Sequence, residues 1–240
     1  MFLAACAIGL AACATHERAD SGTAADRYRA LLADPVRTER DHRMDAGRHP
    51  VELLAFARVR PGMRVLDIAA GAGYTSQLLA LAVAPGGKVW SQASKRGAAL
   101  NERLAAHPEP GFEVVERAFD DPVPPDAPPL DLVTLVLNYH DISYLPVDRD
   151  AMNRKIFAAL RPGGAYVVID HAAVKGSGIS AGKTLHRIDE AFVRAEIERA
   201  GFVLDGEADF LRNRADNRQG SSNTATPPSD KFALRFVKPR

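Results

Sequence analysis

Val65-Leu66-Asp67-Ile68-Ala69-Ala70-Gly71-Ala72-Gly73-Tyr74 is the stretch that decides the fold. Its apolar first half predicts a buried strand over 63–69, and the small residues after it predict a tight turn into a helix over 74–83. Glycine at 71 and 73 lets the backbone approach a ligand without a Cβ in the way. The start of the helix offers free N–H groups. The sequence therefore predicts a ligand site where the first strand passes into its helix.

The spacing within this turn argues against a dinucleotide fingerprint. Such a fingerprint needs a third glycine, which lets the helix pack close to the sheet beside a pyrophosphate. That position is Ser76 in this chain. The turn therefore favours a ligand without a pyrophosphate, and a nucleotide-dependent oxidoreductase becomes the weaker alternative. Asp67 ends the strand, where its carboxylate can accept a hydrogen bond from an ammonium group or a water.

Strand and helix patterns alternate along the rest of the chain. Further strands are predicted over 88–92, 112–117, 130–138, 165–170, 202–213 and 231–239, and helices over 26–33, 94–107, 148–160 and 183–200. Such alternation predicts a doubly wound α/β sheet with helices on both faces. No helix separates the last two strands, so we expect these two to be antiparallel. The expected architecture is a seven-stranded Rossmann-like sheet.

Length and composition favour one globular domain. The chain has 240 residues, of which 46% are hydrophobic and 25% charged, and its net charge is +1 at pH 7. A chain of this length suits one sizeable α/β domain. Basic and acidic residues are interleaved, without a basic stripe that carries aromatic residues. Nucleic-acid binding is therefore not expected.

The first fifteen residues, MFLAACAIGLAACAT, form an apolar run that is too short to span a bilayer as a helix. Leu10-Ala11-Ala12-Cys13 resembles a bacterial lipobox, in which the cysteine is lipidated after cleavage. We therefore expect a leader and linker at 1–25, a domain at 26–240, and a periplasmic protein or one anchored to the membrane through Cys13 alone. No positive charge precedes the apolar run, which leaves a cytoplasmic protein as the alternative.

Three landmarks, in order, resemble the class I S-adenosylmethionine-dependent methyltransferases. The stretch 65–74 is similar to motif I of that family, Asp131-Leu132-Val133 matches it on the fourth strand, and 160–164 resembles the turn before strand five. The resemblance covers roughly residues 50–240. It implies S-adenosylmethionine as the cofactor and methyl transfer to a small-molecule acceptor. Residues 138–141 (Asn-Tyr-His-Asp) and 185–189 (Leu-His-Arg-Ile-Asp) resemble a bacterial group of predicted methyltransferases within this superfamily.

The resemblance also implies which residues contact the cofactor. They are Asp67, Ala69, Gly71, Gly73, Tyr74, Gln92, Asp120 and Asn138. The two glycines would border the methionine and ribose moieties, and Asn138 would lie near the sulfonium. Asp120 or its neighbour Asp121 matches the position that binds the adenine amino group. The family usually ends strand two with an acid that binds both ribose hydroxyls, and here Gln92 is expected to replace it with weaker bonds.

Catalytic candidates follow from the chemistry of methyl transfer. The enzyme must align a nucleophile and, for a hydroxyl acceptor, remove a proton. In open α/β sheets the site lies beyond the carboxyl ends of the strands. His140, Asp141 and His171 follow such strand ends and are therefore the catalytic candidates. His140 is the preferred base because imidazole titrates near neutrality, with Asp141 as its orienting partner and His171 as a second base. The plainer interpretation of these residues is backbone bonding, a turn or a helix cap.

Two further functions stay open. A catalytically degenerate module that binds an adenosine-like ligand is favoured by the missing strand-two acid and by export, since S-adenosylmethionine is made in the cytoplasm. A cation-dependent O-methyltransferase is the other, because Asp141, Asp170 and His171 resemble the metal ligands of catechol-type enzymes. Two carboxylates at strand ends also arise without a metal, so the expected site contains none.

Two segments and one arginine have two interpretations each. The charged residues 36–49 predict either a lid over a polar ligand or a solvated helix face. Arg187 either anchors an anionic substrate or pairs with a neighbouring helical acid. The long polar stretch 213–230 is either a functional lid or disordered, and its composition favours disorder.

Overall fold

The computed structural model describes residues 23–108 and 111–240. The strands within these residues are β1 (Arg64–Ile68), β2 (Lys88–Ala93), β3 (Phe112–Glu116), β4 (Leu130–Val136), β5 (Leu160–His171), β6 (Val203–Ala208) and β7 (Lys231–Val237). They form one seven-stranded sheet in the order β3-β2-β1-β4-β5-β7-β6. β7 runs antiparallel to both of its neighbours, β5 and β6, and the pairs among β1 to β5 are parallel. The predicted sheet, with its last two strands antiparallel, is confirmed.

The helices flank this sheet. They are α1 (Ala24–Leu31), α2 (Glu39–Arg48), α3 (Pro50–Ala57), α4 (Tyr74–Val83), α5 (Ala98–Ala106), α6 (Tyr139–Ser143), α7 (Arg149–Ala159), α8 (Gly182–Leu185) and α9 (Glu190–Arg199). No helix in the described part of the chain is both long and apolar enough to cross a membrane. Helix α1 begins two residues before the domain start expected at 26. The lipobox and Cys13 lie outside the described residues.

Side chains that alternate along the strands build an apolar layer on each face of the sheet. On one face Val65 and Leu132 pack with Leu78 of α4. On the other, Leu66 and Val133 pack in a cluster that also holds residues of α7 and α9. Burial of one such aliphatic side chain stabilises the fold by about 1.5–3 kcal/mol. These two layers fix the carboxyl ends of β1, β2 and β4 at one edge of the sheet, where the turns that follow the strands meet.

The single helix predicted over 183–200 is wrong in its middle. The chain forms α8, leaves the helical conformation at His186, where φ is 51°, and starts again at α9. Between the helices, Ile188 forms a parallel bridge with Ala172, at the end of β5. Asp189 then caps α9 by accepting a hydrogen bond from the amide of Ala191. Over residues 186–189, pairing with the end of β5 therefore outweighs the helical pattern of the sequence.

Arg187 ties the polar stretch 213–230 to the sheet. Its guanidinium is fully buried, donates to the carbonyls of Gly220 and Ala172 at 2.7 and 3.0 Å, and pairs with Asp216 at 2.8 Å. Both interpretations of Arg187 are therefore wrong, because its partners are a loop carboxylate and two carbonyls. The stretch itself is held by these contacts, against the expectation of disorder.

Candidate cofactor and catalytic site

The turn between β1 and α4 adopts the left-handed backbone that its small residues allow. Ala69, Gly71 and Gly73 have φ values of 59°, 56° and 81°. This conformation costs roughly 1–2 kcal/mol for a residue with a Cβ, so Ala69 needs support. The support comes from Gln92, whose side-chain oxygen accepts the Ala69 amide at 2.9 Å and whose side-chain nitrogen donates to the carbonyl of Arg117 at 2.6 Å.

Two adjoining cavities lie at this turn. The turn cavity, of about 160 Å³, is lined by β1–α4 residues and by Arg48 and other residues of α2. The outer cavity, of about 360 Å³, is lined on its far side by Lys95 and Phe119. Both share Ala69, Gly71 and Asn138 as lining residues. A larger, open cavity of about 770 Å³ lies beside Arg212 and Asp230, away from the strand ends that form the turn.

Five of the eight predicted cofactor residues line these cavities. They are Asp67, Ala69, Gly71, Tyr74 and Asn138. Gly73 instead packs behind the turn, where a Cβ would lie 3.0 Å from the side chain of Arg103. Gln92 is fully buried and holds the turn, so the expectation that it contacts ribose hydroxyls is wrong. Asp120 lines neither cavity, and its neighbour Asp121 is paired with Arg117 and Lys155.

Asp67 lies buried at the floor of the turn cavity. It accepts hydrogen bonds from Ser76 Oγ at 2.6 Å and from Thr134 Oγ1 at 2.7 Å. Burial raises its pKa to about 6, against the opposing effect of these hydrogen bonds and of the Arg48 charge. Ser76 stands where a dinucleotide site would have glycine, and its hydroxyl donates a hydrogen bond to the Asp67 carboxylate.

Helix α2 forms the outer wall of the turn cavity, and the lid interpretation of 36–49 stays a prediction. Thr38 and Asp41 cap the helix reciprocally. Asp41 also pairs with Arg103, at 2.6 Å, and both side chains are buried. Arg103 in turn donates to the carbonyl of Ala72 in the turn at 2.7 Å. The same arginine therefore supports both the glycine turn and the helix that covers it.

One aromatic side chain, Tyr74, and one basic side chain, Arg48, also line the turn cavity. Tyr74 donates its hydroxyl to Asp45 of α2 at 2.6 Å. The guanidinium of Arg48 lies 5.7 Å from the centre of the Tyr74 ring. Arg48 lines the cavity and makes no hydrogen bond or ion pair with any residue that the structure describes, while burial lowers its pKa. A cation in this position suits an anionic group of a ligand.

The preferred base, His140, lies between two carboxylates. Its Nδ1 is 2.6 Å from Asp170 Oδ1, and its Nε2 is 3.2 Å from Asp141 Oδ1. Burial alone lowers the pKa of His140, but the hydrogen bonds with Asp141 and Asp170 outweigh it and raise the pKa to about 9. At neutral pH the imidazole is therefore protonated. Its role as the general base stays a prediction, which requires that the proton leave before the acceptor binds.

His171, the second candidate, has the opposite electrostatic environment. Its Nδ1 is 2.8 Å from Ser229 Oγ, and its ring centre is 5.7 Å from that of His140. Burial, assisted by the charge of Lys231, lowers the pKa of His171 to about 3. Its imidazole is neutral at pH 7 but a weak base. Neither His140 nor His171 lines the two cavities.

The catechol-type ligand set of Asp141, Asp170 and His171 does not assemble. Asp170 is fully buried and accepts the amides of His140 and His171 at 2.8 and 2.7 Å as well as the His140 ring. Asp141 instead faces His186, whose Nδ1 lies 3.4 Å from Asp141 Oδ1. Burial opposes ionisation of Asp141, but the hydrogen bond with His140 lowers its pKa to about 2.

Several residues of the site were missed from the sequence. Arg103 joins from α5, and His186 joins from a segment predicted to be continuous helix. Local spacing carries no signal for His186, because it lies 45 residues from Asp141. Helix α2 did have a signal, the capping pair of Thr38 and Asp41 ahead of a charged run.

Solved structures share this arrangement of strands. A SAM-dependent methyltransferase from Aquifex aeolicus aligns with a TM-score of 0.59 at 17% identity, over 89% of this chain and 97% of that one. An S-adenosylmethionine-dependent methyltransferase from Mesorhizobium loti aligns with a TM-score of 0.56 at 19% identity, over 78% and 95%. The chain has the methyltransferase fold.

Fold alone does not fix the reaction. The [4+2]-cyclase SpnF aligns with a TM-score of 0.60 at 15% identity, over 81% of each chain. Comparison with protein-family models and with curated proteins gives no match. The function therefore has to be argued from the site.

Proposed function

We propose that this protein is an S-adenosylmethionine-dependent methyltransferase that acts on a small molecule. The observation that supports this most is the β1–α4 turn, where Ala69 and Gly71 take left-handed conformations directly beneath two adjoining cavities. At Gly71 a Cβ would meet nothing closer than 4.0 Å, so the glycine opens space for a ligand instead of for another side chain.

The charges of the turn cavity suit an amino acid moiety. Asp67 at the floor offers a carboxylate to an ammonium group. Arg48 in the wall, which has no ion-pair partner among the described residues, offers a guanidinium to a carboxylate. The outer cavity, with Phe119 and Lys95 in its lining, has room for the nucleoside. When bound, S-adenosylmethionine supplies a methyl group on positively charged sulfur. Asn138 lines both cavities, so we expect it beside the junction of the two halves of the cofactor.

The acceptor is expected beyond Asn138, on the side of α6. His140 and Asp141 lie in α6, which begins directly after Asn138, and His171 lies against His140 at the end of β5. Their part in methyl transfer stays a prediction. We expect Asp141→Asn to lower turnover while leaving the affinity for S-adenosylhomocysteine within about twofold, because Asp141 lines neither cavity.

Calorimetry with S-adenosylmethionine, S-adenosylhomocysteine and NAD tests the proposal. We expect both sulfur nucleosides to bind and NAD not to bind, because the turn lacks the third glycine beside a pyrophosphate. Binding of NAD alone would refute the methyltransferase assignment. Binding followed by methyl transfer from labelled cofactor to any acceptor would establish the activity.

A binding module without catalysis is the second candidate, and Gln92 favours it. The end of β2 offers no free carboxylate for the ribose, and Gln92 itself is occupied by the main chain. Binding of S-adenosylhomocysteine without turnover of S-adenosylmethionine over a broad panel of acceptors would support this candidate.

Location stays part of the proposal. The lipobox-like sequence that ends at Cys13 supports export and anchoring, and a cytoplasmic protein is the alternative. Mass spectrometry of the mature N-terminus decides between them. A lipid-modified Cys13 would indicate anchoring, and an unprocessed chain would indicate the cytoplasm.

A further inference from the structure

We propose that His140, Asp141 and His186, here called the histidine cluster, bind a divalent transition metal. Asp141 Oδ1 lies 3.2 Å from His140 Nε2 and 3.4 Å from His186 Nδ1, and each of the three residues offers a ligand atom within 4.8 Å of the others. Metal bonds to imidazole and carboxylate are about 2.0–2.2 Å, which sets tetrahedral ligands about 3.4 Å apart. The distances from Asp141 Oδ1 to the two imidazole nitrogens are both close to this value.

Hydrogen bonds outside the cluster aim its donors inward. Asp170 holds His140 by Nδ1 at 2.6 Å, which leaves Nε2 as the atom that faces Asp141. Tyr144 donates its hydroxyl to Asp141 at 2.9 Å. A carboxylate behind a histidine is the usual support of a metal-bound imidazole, since it fixes the tautomer and the direction of the ring. Both imidazoles therefore face the same carboxylate oxygen, Asp141 Oδ1.

The backbone brings His186 to the other two residues. Helix α8 lies so close to α6 that a Cβ on Gly182 would be 2.6 Å from Ser143 Oγ and 2.9 Å from the carbonyl of His140. His186 then takes the left-handed conformation at the end of α8, and Ile188 returns to the sheet beside Ala172. The break in the predicted helix is therefore the feature that places the third donor.

The donor set selects the kind of metal. Two imidazoles and one carboxylate suit zinc, iron, cobalt or manganese, whereas calcium and magnesium prefer sites made of oxygen. The carboxylates of Asp141 and Asp170 supply negative charge around the ion. Three protein ligands leave a position open. About a third of the side chains of Asp141 and His186 is exposed, so that position is open to solvent. If the proposed function holds, it is available to an oxygen of the methyl acceptor.

Cobalt(II) is the probe, because its visible absorption reports ligand number and geometry. The full chain, treated with a chelator and dialysed, is titrated with cobalt in the absence of any nucleoside. We expect one ion per chain and a spectrum typical of four- or five-coordinate cobalt. His186→Ala should weaken binding by about 100-fold or more, and Asp170→Asn by about 10- to 100-fold, as is usual for the support of a metal-bound histidine.

His42→Ala is the matched control, since His42 is an exposed histidine of α2 outside the cluster. It should bind cobalt as the wild type does. Circular dichroism melts check that each variant is folded, and Asp141→Asn serves where His186→Ala does not fold. Equal affinity in the wild type and in the cluster variants would overturn the proposal, as would absence of binding at millimolar cobalt.

This test is separate from that of the proposed function. If the wild type binds S-adenosylhomocysteine but does not bind cobalt, the proposed metal site alone is refuted. Cobalt binding without any nucleoside binding would refute the proposed function alone.

Discussion

At the residue scale, the two glycines of the turn have different tasks. A Cβ at Gly71 would point into the cavity, whereas a Cβ at Gly73 would meet Arg103 and Leu100 at 3.0 and 3.1 Å. We expect Gly71→Ala to weaken binding of S-adenosylhomocysteine by about tenfold or more, because a methyl group enters space that the ligand needs. The strain of the positive φ should cost about 1–2 kcal/mol of stability. Calorimetry and urea unfolding measure the two effects.

Gly62→Ala separates strain from obstruction. Gly62 also has a positive φ, 81°, but a Cβ there would meet nothing within 4 Å, and it lies outside both cavities. This variant should lose a similar amount of stability and keep its affinity. If both variants lost affinity equally, the ligand would not lie against Gly71.

Asp67 should make nucleoside binding depend on pH. Burial raises its pKa to about 6, so the carboxyl is neutral below that pH and ionised above it. A cationic ligand favours the ionised form, so the affinity for S-adenosylhomocysteine should rise up to about pH 6 and level off above it. The expected loss between pH 6 and pH 5 is up to about fivefold, because the ionised fraction falls from about one half to about one eleventh. Calorimetry between pH 5 and pH 8 measures it, and Asp67→Asn should remove the dependence.

Stability should move in the opposite direction, since the pKa of a carboxyl is raised here. The unfolded chain releases this proton near the ordinary aspartate pKa of 3.8, while the folded chain keeps it until about pH 6. The stabilisation by the neutral carboxyl is therefore complete below pH 3.8 and is lost as the pH rises to 6, by about 3 kcal/mol. Asp67→Asn should flatten this part of the profile of unfolding free energy against pH. An unchanged slope in that variant would show that another group titrates.

Single residues also show where sequence reasoning stops. The turn at 69–73 is predictable because Gly71 and Gly73 take a positive φ without the strain that a Cβ adds. The role of Gln92 is not predictable, because the expectation of a ribose contact assumed that the end of β2 faces the ligand. In the structure the side chain folds back on Ala69. Whether a polar group at a strand end binds the main chain or a ligand depends on packing that one sequence does not show.

At the scale of elements, the wall formed by α2 depends on one buried ion pair. Removal of one partner of such a pair leaves an uncompensated charge, which costs about 3–5 kcal/mol. We expect Asp41→Ala to destabilise the protein by this amount, since it leaves the buried guanidinium of Arg103 without its carboxylate partner beside the turn. Affinity for S-adenosylhomocysteine should fall as well, because Arg103 also supports the carbonyl of Ala72. Urea unfolding and calorimetry measure the two losses.

Glu39→Ala is the control on the same helix. Its side chain is 93% exposed and lies 3.9 Å from Arg43, so its removal should change stability by less than about 0.5 kcal/mol. Comparable losses in Asp41→Ala and Glu39→Ala would contradict a supporting role for the buried pair.

The same helix shows how elements escape a pattern-based prediction. The central strands β1, β4 and β5 were predictable because their apolar runs are buried on both faces of the sheet. Helix α2 has no apolar stripe, and its helical state depends on the Thr38–Asp41 cap and on a partner, Arg103, that lies 62 residues away. The helix at 183–200 failed for the converse reason. Its helical pattern is real, but strand pairing at Ile188 interrupts it.

At the scale of the whole molecule, one edge of the sheet gathers the chemistry. The strand order β3-β2-β1-β4-β5 places the ends of β1 and β4 side by side, with the turn cavity above β1 and the histidine cluster beyond β4 and β5. The antiparallel strands β6 and β7 close the other side, where Arg187 and its partners hold the stretch 213–230. The two sides should therefore respond differently to a nucleoside.

Hydrogen exchange measured with and without S-adenosylhomocysteine should show this difference. Ligand binding to the folded state at 100 times its dissociation constant stabilises by about 2.7 kcal/mol, which should raise Tm by about 5–10 °C for a chain of this length. Added protection should concentrate in residues 39–48, 67–77 and 136–139, which line or support the turn cavity. Residues 209–230 should exchange at unchanged local rates, because they open by local motions that the ligand does not touch. Protection confined to 209–230 would move the binding site to the larger cavity beside Arg212 and Asp230, and the assignment of the β1–α4 turn would be wrong.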